Sequence, residues 1–91
     1  MTSLVIVDLT PLDKEQLAKY SEQAAITLAE FGGQFIAKGG IELLHGDAVH
    51  SVKAVIQFPD KATAKNWYNS AAYQAIIPQR EMGMQSQFHL V

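Results

Sequence analysis

Arg80 and His89 are the side chains in this chain with the clearest capacity for acid–base chemistry or charge stabilisation. Imidazole titrates near neutral pH, and His89 alternates with Phe88 and Leu90 along a C-terminal apolar segment, so it could carry a proton. A guanidinium such as that of Arg80 binds carboxylates and stabilises enolates. The two residues are the catalytic candidates for cofactor-free chemistry on an acidic carbon. A charge at a helix end, or an ion pair within a dimer, is the structural alternative for Arg80.

Six side chains are the candidates for a binding pocket. Trp67-Tyr68 could form an aromatic wall, and so could Tyr73, although such residues on an amphipathic helix more often belong to the core. Lys53 and Gln57 are polar residues on an otherwise apolar strand, where buried charge is costly unless it is paired. The full predicted set for ligand binding is Lys38, Lys53, Gln57, Trp67, Tyr73 and Arg80.

The sequence predicts neither a metal site nor a cofactor. His45 and His50 lie in a probable turn segment, and no pair of carboxylates completes a triad with them. The chain has no cysteine, which excludes disulfides and thiolate ligands. Gly39-Gly40 lacks the further glycines and the following helix that a phosphate-binding loop requires.

Composition restricts the partners further. The 91 residues predict one domain, residues 1–91, with 48% apolar and 18% charged residues and a formal net charge of −2. The seven cations are scattered, so no basic face for nucleic acid is expected. The apolar run Leu4–Val7 is far shorter than a membrane span of ~20 residues, and no basic n-region precedes it. A cytoplasmic protein that binds neither nucleic acid nor membranes is expected.

Hydrophobic periodicity predicts elements that would position these residues in the order β-α-β-β-α-β. The predicted strands are 4–9, 34–38 (continued by 41–44), 52–58 and 84–91. Thr10 is the predicted cap of the first helix, which Gly32-Gly33 ends; Asp60 and Ser70 are the predicted caps of the second helix and of a short helix that stops before Pro78. Right-handed crossovers then give a four-stranded antiparallel sheet with both helices on one face, an α+β fold of ferredoxin-like type.

The first strand is apolar on both of its faces, whereas the helices can cover only one. Leu4 and Ile6 lie on one side, and Val5, Val7 and Leu9 on the other. A second copy of the same sheet is the simplest cover, since two-fold dimers are the commonest assembly. The sequence therefore predicts a homodimer.

The chain resembles the uncharacterised family called domain of unknown function 1330, a branch of the dimeric α/β-barrel superfamily. The resemblance rests on Tyr20, Phe31-Gly32, Phe35, Lys38-Gly39-Gly40, Leu44 with Gly46, the run Val55–Asp60, Ala64, the run Trp67–Ser70, Tyr73-Gln74 and Arg80. It implies a ferredoxin-like subunit and a homodimer formed by packing of two sheets. Cofactor-free monooxygenases, muconolactone-isomerase-like proteins and heme-degrading enzymes share the superfamily, so the resemblance implies no single activity.

Departures from the family pattern change the expected charge of a cleft. Lys38 stands where the family usually has Arg, Gln57 where it has Glu, and Ala71-Ala72 where it has Pro-Glu. The customary Val-Glu-Gly near the end is absent as well. Two acidic groups are thereby lost while the cations remain, so an anionic ligand is expected if these residues share a cleft.

Two functions from different classes remain open at this stage. In the first, a homodimer binds or converts a small organic, anionic molecule in a pocket between sheet and helices, lined by the six binding candidates and His89. In the second, the chain is a non-catalytic dimerisation module whose polar interior residues only fix register. The residues do not decide whether the protein is an enzyme.

Overall fold

The computed structural model describes residues 2–91 and confirms the predicted element order, with a helical connection in three pieces before the last strand. The elements are β1 (Ser3–Pro11), α1 (Lys14–Ala29), β2 (Gln34–Gly40), β3 (Val52–Phe58), α2 (Lys61–Tyr68), α3 (Ala71–Gln74), α4 (Ile77–Gly83) and β4 (Met84–Leu90). The strands form one sheet in the order β2-β3-β1-β4, and every neighbouring pair is antiparallel.

The helices pack on one face of this sheet, which we call the covered face. Val5, Val7 and Leu9 of β1 and Ala54, Ile56 and Phe58 of β3 are buried there. The register sets Val5 opposite Ile56 and Val7 opposite Ala54, so the two central strands present one continuous apolar surface to the helices. Residues in between, such as Ile6 and Val55, lie on the other side, the open face, and are half-buried.

The first helix begins later than predicted. Thr10 and Pro11 extend β1, paired with Gln85 and Met84 of β4, because the sheet ladder outweighs the local capping signal. Asp13 is the N-cap instead, and its carboxylate accepts hydrogen bonds from the backbone N–H groups of Glu15 and Gln16.

The predicted continuation of β2 through 41–44 is wrong. The strand ends at Gly40, which lies opposite Val52, the first residue of β3, so no partner strand remains beyond that point. Residues 41–51 form a loop instead, and Leu44 and Val49 are almost fully exposed there.

The connection between β3 and β4 keeps both predicted caps and adds a helix. Asp60 accepts from the Thr63 N–H at 2.7 Å, and Ser70 Oγ accepts from the Tyr73 N–H at 3.2 Å. Pro78 does follow the end of α3, but it also lies in the first turn of α4, where the missing N–H costs nothing. Arg80 therefore lies within a helix. Among residues 2–91, none of the helices is long and apolar enough to cross a membrane.

Candidate functional site

A cavity of about 110 Å³ lies between α1 and the covered face of the sheet; we call it the α1 cavity. Apolar side chains of α1, the three strands β1 to β3 and α2 make up most of its lining. The lining residues from α1 are Leu17, Tyr20, Ser21, Ala24 and Leu28, and those from β1, β2 and β3 include Val7, Leu9, Phe35, Lys38, Val52, Ala54 and Ile56. Glycine at position 33 keeps this end of the core closely packed, since a Cβ there would come within 2.8 Å of the Leu28 side chain.

Trp67 forms a wall of the α1 cavity and is 1% exposed. Its indole Nε1–H donates to Thr27 Oγ1 at 3.0 Å, and the Thr27 hydroxyl donates in turn to the Ala24 carbonyl at 2.8 Å. Its ring lies against Phe58, with 5.3 Å between ring centroids. The polar atom of the indole is thus satisfied by α1, and the ring orientation is fixed.

A group of three phenols and one guanidinium, all buried except the half-buried Tyr68, adjoins the α1 cavity; we call it the Tyr–Arg cluster (Tyr20, Tyr68, Tyr73 and Arg80). The Tyr20 and Tyr73 hydroxyl oxygens are 2.7 Å apart. One terminal nitrogen of Arg80 donates to Tyr73 Oη at 3.1 Å and to Tyr68 Oη at 3.0 Å. The guanidinium also lies 4.9 Å from the ring centroid of Phe88, a cation–π contact. Tyr20 belongs to both features, because it lines the cavity and joins the cluster.

Burial controls ionisation in the Tyr–Arg cluster. Burial raises the pKa of Tyr20 far above its ordinary value, and burial likewise raises the pKa of Tyr73, although hydrogen bonds from Tyr20 and Arg80 oppose that rise. For Arg80, burial works to lower the pKa, but hydrogen bonds to Tyr68, Glu81 and Tyr73 outweigh it and the pKa is raised. Both phenols therefore stay neutral and Arg80 stays charged over the physiological range.

Lys38 is the charged side chain of the α1 cavity, the one cation or anion among the described residues that line it. It is exposed, and its ammonium lies 5.3 Å from the ring centroid of Phe35 on the same strand. Its position opposite Ala54 puts it on the covered face, at the edge strand of the sheet. The cavity thus has an apolar interior and a solvated cation at one margin.

The structure divides the predicted site residues between the two faces of the sheet. Lys38 and Trp67 line the α1 cavity, and Tyr73 and Arg80 lie in the adjoining cluster. Lys53, Gln57 and His89 are on the open face, so the sheet separates them from the cavity.

The open face carries an ion pair with a histidine beside it. Lys53 Nζ is 3.1 Å from Asp8 Oδ1, and His89 Nδ1 is 4.0 Å from Asp8 Oδ2. His50 lies at the margin of this face, with Nδ1 2.8 Å from Thr10 Oγ1. Within residues 2–91, no group of three or more histidines and carboxylates is placed to hold a metal ion.

The set of site residues predicted from the sequence leaves out three members of these groups: Tyr20, Tyr68 and Asp8. Tyr20 has the periodicity of a core residue, which it is, but its hydroxyl partner Tyr73 is 53 residues away and has no local signal. Tyr68 and Asp8 likewise have no local signal for their contacts. Arg80 contacts Tyr68, and Lys53 contacts Asp8, only in the folded chain. Asp8 is two residues after Ile6 on the first strand and therefore on the same face, which, with Lys53 on the third strand, could have indicated charged residues on the open face.

Comparison with known proteins defines first the class of fold and then the family. A dimeric ferredoxin-like protein of unknown function from Jannaschia sp. CCS1 superimposes with a TM-score of 0.70 and 15% identity, over 100% of this chain and 98% of that one. The fold is thus ferredoxin-like, as predicted. The family model for the domain of unknown function DUF1330 matches residues 2–91, and the chain belongs to that family.

Two further solved structures have the same fold. A protein of unknown function from Rhodopseudomonas palustris has a TM-score of 0.80 and 15% identity, over 99% of this chain and 80% of that one. SnoaB from Streptomyces nogalater, described as a cofactor-independent oxygenase, has a TM-score of 0.72 and 11% identity, over 99% of this chain and 90% of that one. No curated protein matches the chain. At these identities the likeness shows the fold and carries neither ligand nor reaction to this chain.

Proposed function

We propose that this protein binds a small organic acid in the α1 cavity and that it works as a homodimer. The observation that carries the proposal is an apolar cavity with a single charged lining residue, Lys38, at its margin. Its volume of about 110 Å³ is of the same order as the ~150 Å³ apolar cavity that admits benzene. A single ring or short aliphatic body would occupy the interior, and a carboxylate would lie at the Lys38 ammonium.

Binding is favoured over catalysis by the chemistry of the lining. The phenol of Tyr20 holds its proton because burial raises its pKa, and His89, the candidate proton carrier, lies on the open face. SnoaB is described as an oxygenase that needs no cofactor, so a protein of this fold can convert a small molecule. A proton acceptor for such chemistry would have to come from the ligand.

Trp67 provides the test of ligand binding, because it is the sole tryptophan and forms a cavity wall. We expect benzoate to shift the indole N–H resonance of Trp67 in a saturable way, and its neutral isostere benzamide to bind more weakly. Lys38→Gln should remove most of this preference for the anion. Lys65→Gln is the matched control, since Lys65 is exposed on α2 and does not line the cavity.

A second test blocks the cavity itself. Ala54 is buried and lines the α1 cavity, so Ala54→Val should weaken binding by filling it. Ala37→Val adds the same atoms on the open face of the neighbouring strand and should leave binding unchanged. Indifference of Trp67 to a broad panel of small acids would reject the ligand-binding proposal and favour the dimerisation module.

The homodimer is supported by the open face. Leu4, Ile6 and Val55 form an apolar stripe along its two central strands, and the Jannaschia protein of the same fold is described as dimeric. Native mass spectrometry should give a species of 20.0 kDa, twice the 10.0 kDa of one chain. Ile6→Lys should yield the monomer, whereas Ile26→Lys, at an exposed position of α1, should not. A wild-type monomer would reject this part of the proposal.

A further inference from the structure

We infer that the Tyr20 hydroxyl donates a hydrogen bond into the α1 cavity, so that the bound acid carries an acceptor oxygen at its inner end. This inference rests on the proposed function and adds the polarity of the ligand. It follows from a count of protons. The Tyr20 and Tyr73 hydroxyls meet at 2.7 Å and share one proton in that bond, while each phenol carries one proton of its own. One O–H of the pair is therefore left without an acceptor.

The position of Arg80 decides which proton is left over. Arg80 donates to Tyr73 Oη at 3.1 Å, so that oxygen already accepts one hydrogen bond. If Tyr73 then donates to Tyr20, its oxygen both accepts and donates, and the spare proton belongs to Tyr20. If Tyr20 donates instead, Tyr73 accepts twice and its own proton is stranded at a residue that is 0% exposed and does not line the cavity.

A stranded hydroxyl proton in the core costs free energy, whereas a spare proton at the cavity can be satisfied by a ligand or by water. Tyr20 lines the α1 cavity, and Tyr73 does not. The arrangement in which Arg80 donates to Tyr73 and Tyr73 donates to Tyr20 is therefore the favoured one. Arg80 acts in it as a positioning residue, because its charge orients the two hydroxyls without touching the ligand.

Among the polar side chains of the lining, which also include Ser21 and Trp67, Lys38 and Tyr20 differ in exposure. Lys38 is exposed at the margin of the cavity, and Tyr20 is 7% exposed. A ligand that satisfies both has an anionic group at the solvent end and a carbonyl or similar acceptor oxygen at the inner end. The ligand class is thus a small keto or acyl acid with an apolar body, rather than a simple hydrocarbon acid.

The test compares two acids of the same shape, 4-acetylbenzoate and 4-isopropenylbenzoate, which differ by a carbonyl oxygen in place of a methylene group. We expect the wild-type protein to bind the acetyl compound about 5-fold more tightly, as one buried neutral hydrogen bond provides. The Trp67 indole resonance reports both titrations. The wild-type ratio tests the inference even if a variant fails to fold.

Tyr20→Phe should bring the two dissociation constants together. Tyr68→Phe is the matched control, because it removes a phenol of the same cluster that neither lines the α1 cavity nor contacts Tyr20 by a hydrogen bond. It should keep the 5-fold preference. Equal binding of the two acids to the wild-type protein would overturn this inference and leave the proposed function intact. Failure of both acids to bind where benzoate binds would overturn this inference alone, whereas failure of all three would overturn the proposed function and the inference with it.

Discussion

The two faces of the sheet hold their polar groups in different ways. On the covered face, Arg80 is 8% exposed and shares its hydrogen bonds with the hydroxyls of Tyr68 and Tyr73. On the open face, the ion pair of Lys53 and Asp8 keeps roughly half of the lysine side chain in water. The covered face thus stabilises one buried charge by two fixed hydroxyl acceptors and by the Glu81 carboxylate at 2.8 Å, whereas the open face leaves its charges to solvent or to a partner.

This difference separates a ligand site from an interface. A buried cluster with fixed geometry can discriminate between ligands, because a wrong ligand leaves a hydrogen-bonding group unpaired. Exposed ion pairs contribute little to stability but restrict which surface can pack against them. Under the proposed function, the acid would be recognised on the covered face and a second copy of the chain on the open face.

The largest contrast is expected from the same substitution on the two faces. Ile56 is 3% exposed on the covered face, and Ile6 is half-buried on the open face. Ile56→Ala should lower the free energy of unfolding by about 3 kcal/mol, because it removes buried methylene groups and leaves a cavity. Ile6→Ala should cost the isolated chain only about 1 kcal/mol. Urea unfolding at low protein concentration measures both.

Protein concentration sharpens this comparison. If a second copy covers Ile6, the cost of Ile6→Ala should grow with concentration, since dissociation then accompanies unfolding. The cost of Ile56→Ala should not change with protein concentration, because Ile56 is buried within one chain. Equal costs for the two variants at all concentrations would contradict the distinction between a covered and an open face.

The fold was predictable because local patterns and general topology rules agree over most of the chain. The alternation Val52 to Phe58 gave the covered side of β3 correctly, and Asp60 and Ser70 cap helices as predicted. The errors lie where a distant partner overrides a local signal. Thr10 has a good capping sequence, but its pairing with Gln85 keeps it in the sheet.

The candidate site was predictable only in part, for a physical reason. Residue type identified Arg80, Trp67 and Tyr73 as unusual, and they do lie together in the folded chain. The side of the sheet on which each residue lies depends on register, however, and Lys53 could not be assigned to the Asp8 pair without it. The proposed role of Tyr20 depends on the short distance between its hydroxyl oxygen and that of Tyr73, which only the folded structure shows.

The two cations provide the next contrast. Arg80→Met should cost about 2 kcal/mol, because it leaves the buried Tyr73 oxygen and the half-buried Tyr68 without their donor. At the low protein concentration at which the chain is monomeric, Lys53→Met should cost about 0.5 kcal/mol or less, since the Asp8 carboxylate can then be solvated. Thermal unfolding of both variants at equal concentration checks this, and salt should reduce the small effect of Lys53 further. A larger loss for Lys53→Met would mean that the open face is covered in solution.

The smallest contrast between two proteins, about 1 kcal/mol between the wild type and Tyr20→Phe, is expected at alkaline pH, and it belongs to the covered face alone. Because burial raises the pKa of Tyr20 and Tyr73, the folded chain keeps both protons above pH 10.0, the ordinary tyrosine value, while the unfolded chain loses them. The unfolded state then binds fewer protons, so stability falls as pH rises. The stabilisation that the two protonated phenols provide is complete below pH 10.0 and decreases as the pH rises towards their raised pKa in the folded chain.

Each of the two tyrosines should contribute about 1 kcal/mol to this loss between about pH 9 and about pH 11. Tyr20→Phe removes the contribution of one tyrosine, so the urea midpoint of this variant should fall less between these two pH values than that of the wild-type protein. The contributions of the other side chains are common to both proteins and cancel in the comparison. Identical pH dependence in the wild-type protein and in Tyr20→Phe would mean that Tyr20 ionises as freely in the folded chain as in the unfolded one. Its hydroxyl would then be open to water rather than held between Tyr73 and the cavity.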